Sequence, residues 1–328
     1  MNKIIAEIGS VHDGSFGNAC QLVKVAVDCG ADVAKFQTHN AEAETLRDAP
    51  APDYFRGEPR WDYFKRTAFS EQEWMGIKVA CEKAGIEFLS SPFSEQAVDI
   101  LERVGVGSYK IPSGEVTNLP MLERIVSTGK PVYLSSGMSN WSELDAAVAV
   151  LEKGGPLCIM QCSSAYPCPP ERTGLNVIGE MVRRYGLPIG FSDHSEGFAA
   201  AMAAAALGAS VIEKHLTFSR KMYGSDAANG MEPHDFEKYC SGIRDVWTMT
   251  GRPVDKDDLS EYLDMKRIFE KSIVMARPIA AGTVIHLDDL AFKKPGDGIS
   301  ASRYKDILGR RLRGDLPADH KLEEGDLL

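Results

Sequence analysis

Two histidines near the middle of the chain have the type and spacing of residues that bind a metal ion or clamp a substrate. His194 ends the run Pro188–His194, and His215 ends the run Ser210–His215, 21 residues further on. The Ala-rich segment Phe198–Leu207 between them suits one buried helix. A strand, a helix and a strand in this order form a right-handed unit with parallel strands. Both imidazoles then fall at the same end of neighbouring strands, which favours a pair of ligands over two separately hydrogen-bonded strand-end histidines.

Short apolar runs alternate with amphipathic helical stretches from the first residues to about residue 250, which is the alternation of an α/β fold. Eight runs predict strands: Ile4–Ile8, Val33–Gln37, Glu87–Ser90, Ser108–Ile111, Val132–Ser135, Leu157–Gln161, Ile189–Asp193 and Val211–His215. Eight such units predict a (β/α)8 TIM barrel over residues 1–250. No Gly-x-Gly-x-x-Gly sequence follows the first strand, which argues against a dinucleotide-binding fold.

Two insertions and a different C-terminal region interrupt this pattern. The long connection Asn40–Ala68 is rich in proline, arginine and aromatic residues, and we expect it over the mouth of the barrel. A second insertion, Thr217–Glu232, follows the last strand. Residues 251–270 predict a linker. Residues 271–328 combine short apolar runs with tight turns and predict a small β-rich domain.

Polar residues end or follow every predicted strand. In a TIM barrel the active site lies at the carboxyl ends of the strands, so these residues should share one rim. The set is Glu7, Lys35, Gln37, His39, Ser90, Ser91, Lys110, Ser113, Glu115, Ser135, Ser136, Gln161, Ser163, Ser164, Ser192, Asp193, His194, Glu213 and His215. Lys35 and Lys110 are costly to bury unless a counter-charge meets them, and a bound anion would supply one. A buried ion pair of Lys35 with Glu7 or Glu115 is the alternative.

The residue types at this rim point to a class of reaction. Imidazoles with oxygen ligands suit a divalent ion such as Mn²⁺, Mg²⁺, Fe²⁺ or Zn²⁺ that keeps positions open for a substrate. Lysine and serine side chains suit the oxygens of a phosphorylated acid. A glutamate can activate water or carry a proton. Together these groups would fit the addition of a small phosphorylated carbon acid to a metal-polarised carbonyl group.

Composition excludes several other classes of protein. The 328 residues carry a net charge of -10 and have a pI near 5.3, which argues against a general nucleic-acid binder. The seven cysteines show no metal-finger spacing and predict reduced, mostly buried thiols. The longest apolar stretch, Phe198–Ile212, is too short to span a bilayer, and no signal segment precedes the first strand. We therefore expect a cytoplasmic protein with no membrane partner.

Eight ordered motifs together resemble one known family. They are Ala6–Gly9, Lys35–Thr38, Ser91–Ser94, Tyr109–Glu115, Leu134–Met138, Ser164–Pro167, Gly190–His194 and Ile212–His215. Motifs of these types in this order resemble the sialic acid synthases, the phosphoenolpyruvate-condensing nonulosonate synthases of the N-acetylneuraminate synthase type. The run Lys293–Gly298 marks a tail that resembles the antifreeze-like (SAF) domain. The resemblance covers nearly the whole chain.

This resemblance implies a fold, a reaction and a set of roles. It implies a (β/α)8 barrel with a C-terminal SAF domain, paired as a domain-swapped homodimer, that condenses phosphoenolpyruvate with an open-chain N-acyl hexosamine and releases phosphate. It implies that His194 and His215 hold a divalent metal, Mn²⁺ or Mg²⁺. Phosphoenolpyruvate would be held by Lys35, Ser91, Lys110, Ser113, Ser135 and Ser192. Ser164 would also bind substrate, Glu115 would position or activate water, and Glu7, Tyr166 and Asp226 would face the sugar. Glu115, Glu7 and Lys110 are the predicted catalytic residues.

The chain departs from the family pattern at positions that bear on the sugar. The residues after Asp226 lack the His and Ser that the family often has there, and Lys294 stands where some relatives place an arginine. Gln161 and Ser163 stand where relatives often have His and Thr. The acceptor is therefore left open between N-acetylmannosamine and a related diacetamido sugar.

Two other readings of the same residues remain. A Schiff-base aldolase would use Lys110 or Lys35 as its nucleophile. A non-catalytic carbohydrate-binding protein would keep the fold without turnover, although the complete polar rim argues against it.

Overall fold

The chain folds into two compact units, residues 1–252 and residues 253–328. The computed structural model describes residues 2–51 and 58–328. Part of the predicted insertion Asn40–Ala68 thus lies outside the described residues. No helix in the described part of the chain has both the length and the hydropathy needed to cross a membrane.

The first unit is a closed barrel of eight parallel strands in sequential order, which confirms the predicted fold. The strands are β1 (Lys3–Gly9), β2 (Val33–Thr38), β3 (Glu87–Pro92), β4 (Tyr109–Ile111), β5 (Val132–Ser135), β6 (Leu157–Cys162), β7 (Ile189–Asp193) and β8 (Val211–His215). Strand β1 pairs with both β2 and β8, which closes the sheet. Because all strands run the same way, their carboxyl ends meet at one rim.

Helices connect the strands and cover the outside of the barrel. They are α1 (Phe16–Asp28), α2 (Ala41–Glu44), α3 (Arg60–Thr67), α4 (Glu71–Ala84), α5 (Glu95–Val104), α6 (Leu119–Val126), α7 (Trp141–Leu151), α8 (Leu175–Tyr185), α9 (Ala199–Ala206), α10 (Ser225–Asn229) and α11 (Pro233–Gly251). Helices α2 and α3 lie in the first insertion and α10 in the second. Both insertions thus carry short helices that follow strands β2 and β8.

Helix α4 shows how local sequence sets the bounds of a helix. The Ser70 hydroxyl accepts from the Glu73 amide at 3.3 Å, and the Glu73 carboxylate accepts from the Ser70 amide at 2.8 Å. These reciprocal bonds satisfy two donors that the first turn leaves unpaired. Gly85 ends the helix with a φ of 73°, a left-handed conformation that costs glycine little.

Alternation along the strands divides the barrel interior into two layers. The lower layer is apolar and consists of Ile5, Val33, Leu89, Tyr133, Cys158, Met160 and Val211. Two residues further along, strands β1, β2, β5 and β8 present Glu7, Lys35, Ser135 and Glu213. Since side chains of one strand face the same side every second residue, an apolar floor supports a polar layer beneath the rim.

Lys214 and Asp193 form a buried ion pair on the outer side of the strands, where helix α11 covers them. Lys214 Nζ lies 3.1 Å from Asp193 Oδ2, which also accepts from the Tyr239 hydroxyl at 3.0 Å. The other Asp193 oxygen accepts from the amide and the hydroxyl of Ser195 at 2.8 and 2.6 Å. The inclusion of Asp193 among the rim residues was therefore wrong. Its neighbour Ser192 points toward the barrel axis, so Asp193, the next residue of the strand, points away from it.

The second unit has its own sheet and core. Strands β9 (Ser272–Met275) and β10 (Leu290–Lys293) pair antiparallel, and single bridges join further segments, such as Ile279 with Leu316. The core comprises Ile273, Met275, Ile279, Ile285, Leu290, Ile299, Ile307, Leu312, Leu316, Leu322 and Leu327. Helix α12 (Leu263–Phe269) lies within the segment expected as a linker, and the short helix α13 (Tyr304–Ile307) follows β10.

We predict that Lys214→Met lowers the free energy of unfolding by about 3–5 kcal/mol, because it leaves the Asp193 carboxylate buried without its cation. The two side chains are only 4% and 0% exposed. Urea denaturation monitored by circular dichroism measures the change. The matched control is Lys65→Met, whose pair with Glu42 is 61% and 68% exposed and which should cost less than about 1 kcal/mol. Equal losses in both variants would contradict the role of the buried pair.

Candidate functional site

The polar layer of the barrel brings together seven side chains from seven strands. They are Glu7, Lys35, Ser91, Lys110, Ser135, Ser192 and Glu213, and each is at most 5% exposed. Two ammonium groups and two carboxylates therefore share one enclosed space with three hydroxyls. Their charges balance, which allows the group to be buried at all.

Lys35 lies between the two carboxylates of this layer. Its Nζ is 3.0 Å from Glu7 Oε2 and 3.5 Å from Glu213 Oε1, and it donates to the Ser91 hydroxyl at 3.4 Å. Burial alone would lower the pKa of Lys35, but Glu213 and Glu7 raise it above its ordinary value. Of the two predicted pairings, the one with Glu7 forms, whereas the Glu115 carboxylate accepts from Asn118 Nδ2 at 2.8 Å.

Lys110 has a weaker set of partners than Lys35. Its Nζ donates to the Ser135 hydroxyl at 2.5 Å and to the Ile111 carbonyl at 3.3 Å, whereas Glu213 Oε1 is 4.0 Å away. Burial lowers the pKa of Lys110 below its ordinary value, and the nearby Lys35 lowers it further. Lys110 is thus the cation of this layer with the most to gain from an anionic ligand.

Glu213 joins the two lysines; the sequence placed it on the predicted rim but assigned it no role. It accepts from the Ser192 hydroxyl at 3.0 Å, while its Oε2 has no hydrogen-bond partner among residues 2–51 and 58–328. Although burial opposes the charge, Lys110 and Lys35 lower the pKa of Glu213 to about 2. Its spacing of two from His215 was the available signal, because both must then face the same side of strand β8.

A cavity of about 580 Å³ lies at the carboxyl end of the barrel. Its lining includes five predicted site residues beside His215: Ser113, Glu115, Ser164, Tyr166 and Asp226. Burial raises the pKa of Glu115 above its ordinary value, so this carboxylate takes up a proton more readily than an exposed one. Gln37 and His39, which the sequence placed on the rim without a role, also line the cavity. The prediction did not include the other lining residues, namely Ser10, Arg60, Phe64, Phe93, Pro112, Gly114, Met138 and Asn229.

Asp226 is held in place from the other end of the sequence. Its Oδ2 accepts from the amide of Ser10 at 2.8 Å and from the Ser10 hydroxyl at 2.9 Å. The Tyr63 hydroxyl in turn donates to Ser10 at 2.8 Å. Burial opposes the charge, but His215 and the Ser10 hydrogen bonds lower the pKa of Asp226. Asp226 therefore enters the cavity as an ionised, oriented carboxylate.

The two histidines lie together, as their positions on neighbouring strands predict. Their ring centroids are 5.8 Å apart, and the Tyr166 ring lies 4.1 Å from that of His194. His194 Nδ1 is 2.9 Å from the Ser163 carbonyl, to which it donates, so its Nε2 keeps a lone pair when the ring is neutral. Burial lowers the pKa of His215, whereas Cys162 and the Ser163 carbonyl raise the pKa of His194 against the effect of burial.

The donor set at these histidines fits a divalent metal that takes further ligands from substrate or water. The Nδ1 atom of His215 is buried and has no hydrogen-bond partner in the described residues. The Ser163 carbonyl orients the His194 ring, as carbonyls often do for metal-binding imidazoles. Across the described ranges, no group of three or more His, Cys, Asp or Glu side chains has the arrangement of a metal site. The protein thus offers two imidazoles and leaves the other positions open.

Comparison with known proteins places the chain in a family. The NeuB family model matches residues 22–255, and the SAF domain model matches residues 270–327. The chain belongs to the NeuB family and carries a C-terminal SAF domain, which confirms the predicted sialic acid synthase family. It is an enzyme of this family, whose named members include synthases of N,N'-diacetyllegionaminic acid, N-acetylneuraminate-9-phosphate and pseudaminic acid.

Individual relatives span nearly the whole chain. An uncharacterized protein of Methanocaldococcus jannaschii is 38% identical over 99% of this chain and 94% of that protein. The N,N'-diacetyllegionaminic acid synthase of Campylobacter jejuni is 33% identical over 98% of each chain. The crystal structure of N-acetylneuraminic acid synthetase from Leptospira borgpetersenii superposes with a TM-score of 0.72 and 29% identity, covering 81% of this chain and 91% of that one. Two of these relatives differ in the sugar acid they are named for.

We predict that Gly9→Ala displaces the Asp226 carboxylate. Gly9 has a φ of 53°, and a Cβ there would lie 2.3 Å from Asp226 Oδ2. Gly85→Ala is the matched control, because it has a φ of 73° with no atom within 4 Å of the added Cβ. The control should cost only the backbone strain of about 1 kcal/mol. Thermal denaturation should show a larger loss of stability in Gly9→Ala than in Gly85→Ala. Equal losses of stability in the two variants would contradict the close approach of Gly9 to Asp226.

Proposed function

We propose that the protein catalyses the metal-dependent condensation of phosphoenolpyruvate with an open-chain N-acyl hexosamine, which gives a nonulosonic acid and phosphate. The acceptor is N-acetylmannosamine or a related diacetamido sugar. The observation that carries the proposal is the stacking of two sites along one barrel axis, with buried lysines and serines beneath a cavity bounded by carboxylates and an imidazole. The homodimer and the cytoplasmic location remain predictions.

Phosphoenolpyruvate would occupy the polar layer and its upper edge. Lys110, Ser135 and Ser192 offer one cation and two hydroxyls from adjoining parts of the barrel, and Lys35 with Ser91 offers a second group. Charge-assisted hydrogen bonds of this kind suit phosphate and carboxylate oxygens. Ser113 lies above them in the cavity lining. The carboxylates of Glu7 and Glu213 lie beside the same lysines and would weaken the binding of an anion by repulsion.

The acceptor sugar would occupy the cavity above. Glu7, Tyr166 and Asp226 would bind its hydroxyl or amide groups, and Ser164 lies in the same lining. A divalent metal held by His194 and His215 would polarise the sugar aldehyde as a Lewis acid. The residues themselves orient the open chain so that its carbonyl carbon meets the methylene carbon of phosphoenolpyruvate.

Glu115 is the proposed base for the water molecule. Bond formation between the two carbons leaves the enol carbon of phosphoenolpyruvate electron-deficient, and water adds to it. The bond between this carbon and the bridging oxygen then breaks, and phosphate leaves with that oxygen. Burial raises the pKa of Glu115, so its carboxylate accepts the proton of this water more readily than an exposed glutamate would.

A phosphate-release assay over a panel of hexosamines with each divalent metal tests the proposal. We expect release to require phosphoenolpyruvate, one amino sugar and a metal, and to stop on addition of EDTA. His194→Ala and His215→Ala should each lower kcat by at least about 100-fold, because each removes a proposed ligand. Full turnover in EDTA, or in both variants, would contradict the metal role. Mass spectrometry of the product identifies the acceptor.

A Schiff-base aldolase is the second candidate, because burial lowers the pKa of Lys110 and so favours the free amine. Borohydride reduction in the presence of pyruvate distinguishes the two reactions. Irreversible attachment of pyruvate to Lys110, with no release of phosphate from phosphoenolpyruvate, would establish the aldolase instead.

The lowered pKa of Lys110 also predicts how substrate affinity depends on pH. The ammonium form is present below this pKa and is lost as the pH rises through it, so the KM for phosphoenolpyruvate should rise on the alkaline side. Steady-state kinetics from neutral to alkaline pH measures this rise. In Lys110→Met the KM should be high at every pH and show no alkaline rise attributable to this group. If the KM of Lys110→Met still rose at alkaline pH as it does in the wild type, the rise could not be attributed to Lys110.

A further inference from the structure

His39 lies between two aromatic rings just beyond the end of strand β2. Its ring centroid is 3.8 Å from that of Phe64 and 4.2 Å from that of Phe93, with interplanar angles of 12° and 21°. Phe64 belongs to helix α3 of the first insertion, and Phe93 follows strand β3. The His39 side chain is only 5% exposed. Stacking on both faces fixes the plane of the imidazole and leaves only its edge for hydrogen bonds.

Both nitrogens on that edge face oxygen atoms. Nδ1 is 2.8 Å from Glu44 Oε1, and Nε2 is 3.1 Å from Gln37 Oε1. The other Glu44 oxygen accepts from the amide of Asn40 at 3.0 Å. An amide oxygen only accepts, so His39 Nε2 is the donor to Gln37. The Glu44 carboxylate, whose side chain is 3% exposed, holds the other nitrogen of the ring edge.

The side-chain amide of Gln37 carries this arrangement into the barrel. Its nitrogen donates to Glu7 Oε1 at 2.7 Å, and the other Glu7 oxygen meets Lys35 at 3.0 Å. An amide has one donor end and one acceptor end. Because the His39 donor holds the amide oxygen, the amide nitrogen must face Glu7. Without His39 the amide oxygen loses this partner, and the amide can rotate so that its nitrogen no longer meets Glu7.

We propose that His39 and Glu44 are positioning residues, which fix the Gln37 amide and thereby hold the Glu7 carboxylate in the orientation that meets the acceptor sugar. This inference deepens the proposed function and rests on it. It assigns a task to the first insertion, because α2 contributes Glu44 and α3 contributes Phe64. The chain of contacts runs from the cavity mouth to the centre of the barrel.

The variant His39→Phe tests the inference, because it keeps the stack and removes both hydrogen bonds. We expect kcat/KM for the hexosamine to fall about 10- to 100-fold, the effect of losing a hydrogen bond to a charged group. The KM for phosphoenolpyruvate should stay within about twofold, since Lys110 is untouched. Glu44→Gln should give a smaller fall of the same kind. His234→Phe, at an exposed position on α11, is the matched control and should leave both constants unchanged.

A double variant separates positioning from a general structural role. If His39 acts through Gln37, the kcat/KM of the double variant Gln37→Ala/His39→Phe for the hexosamine should be no more than about twofold below that of Gln37→Ala alone. Additive losses, or equal losses for both substrates with a lower melting temperature, would overturn the inference.

An NMR measurement tests the same inference without turnover. The side-chain amide protons of Gln37, assigned by their loss in Gln37→Ala, should exchange slowly with solvent and shift in His39→Phe. If the wild type released no phosphate with any hexosamine, but the Gln37 amide signal still shifted in His39→Phe, the proposed function alone would fail. Full activity and an unshifted amide signal in His39→Phe would overturn the positioning role.

Discussion

The balance of two ammonium groups against two carboxylates inside the barrel is the interaction on which the site depends. An isolated charge at this depth would carry a desolvation cost of several kcal/mol, so Lys35, Lys110, Glu7 and Glu213 are stable there only together. Strands β1, β2, β4 and β8 each contribute one of them, and closure of the barrel brings the four strands around one axis. The fold and the charge arrangement therefore require each other.

The same alternation that fills the barrel also sorts charges between its two sides. Glu213 faces the axis and Lys214 faces helix α11, although they are adjacent in the sequence. Each finds an opposite charge on its own side: Lys35 inside, and Asp193 outside. A shift of one residue in strand β8 would place each charge beside a like one or beside apolar side chains, so the pairs specify the register of the strand as well as stabilise it.

The strand pattern, the barrel and the polar rim could be predicted from the sequence, because period-two alternation and strand-end positions are local properties. The inward or outward direction of a particular residue is also local, yet Asp193 was placed on the rim wrongly and Glu213 was placed there without a role, because the odd or even position of each residue along its strand was not used. Contacts between distant segments were beyond such reasoning. Asp226 meets Ser10 across 216 positions, and His39 meets Phe64 only because an insertion folds back. Six of the seven cysteines are buried, as expected, and none is bonded to another in the described structure.

The apolar floor restricts how ligands enter and leave the barrel. Because Ile5, Leu89, Met160 and their neighbours fill the end opposite the rim, every ligand must enter and leave by one opening. Under the proposed function, phosphoenolpyruvate in the polar layer would lie beneath the sugar in the cavity, so phosphoenolpyruvate would have to bind before the sugar. A barrel sealed at one end would thus set the order of substrate binding without any moving part.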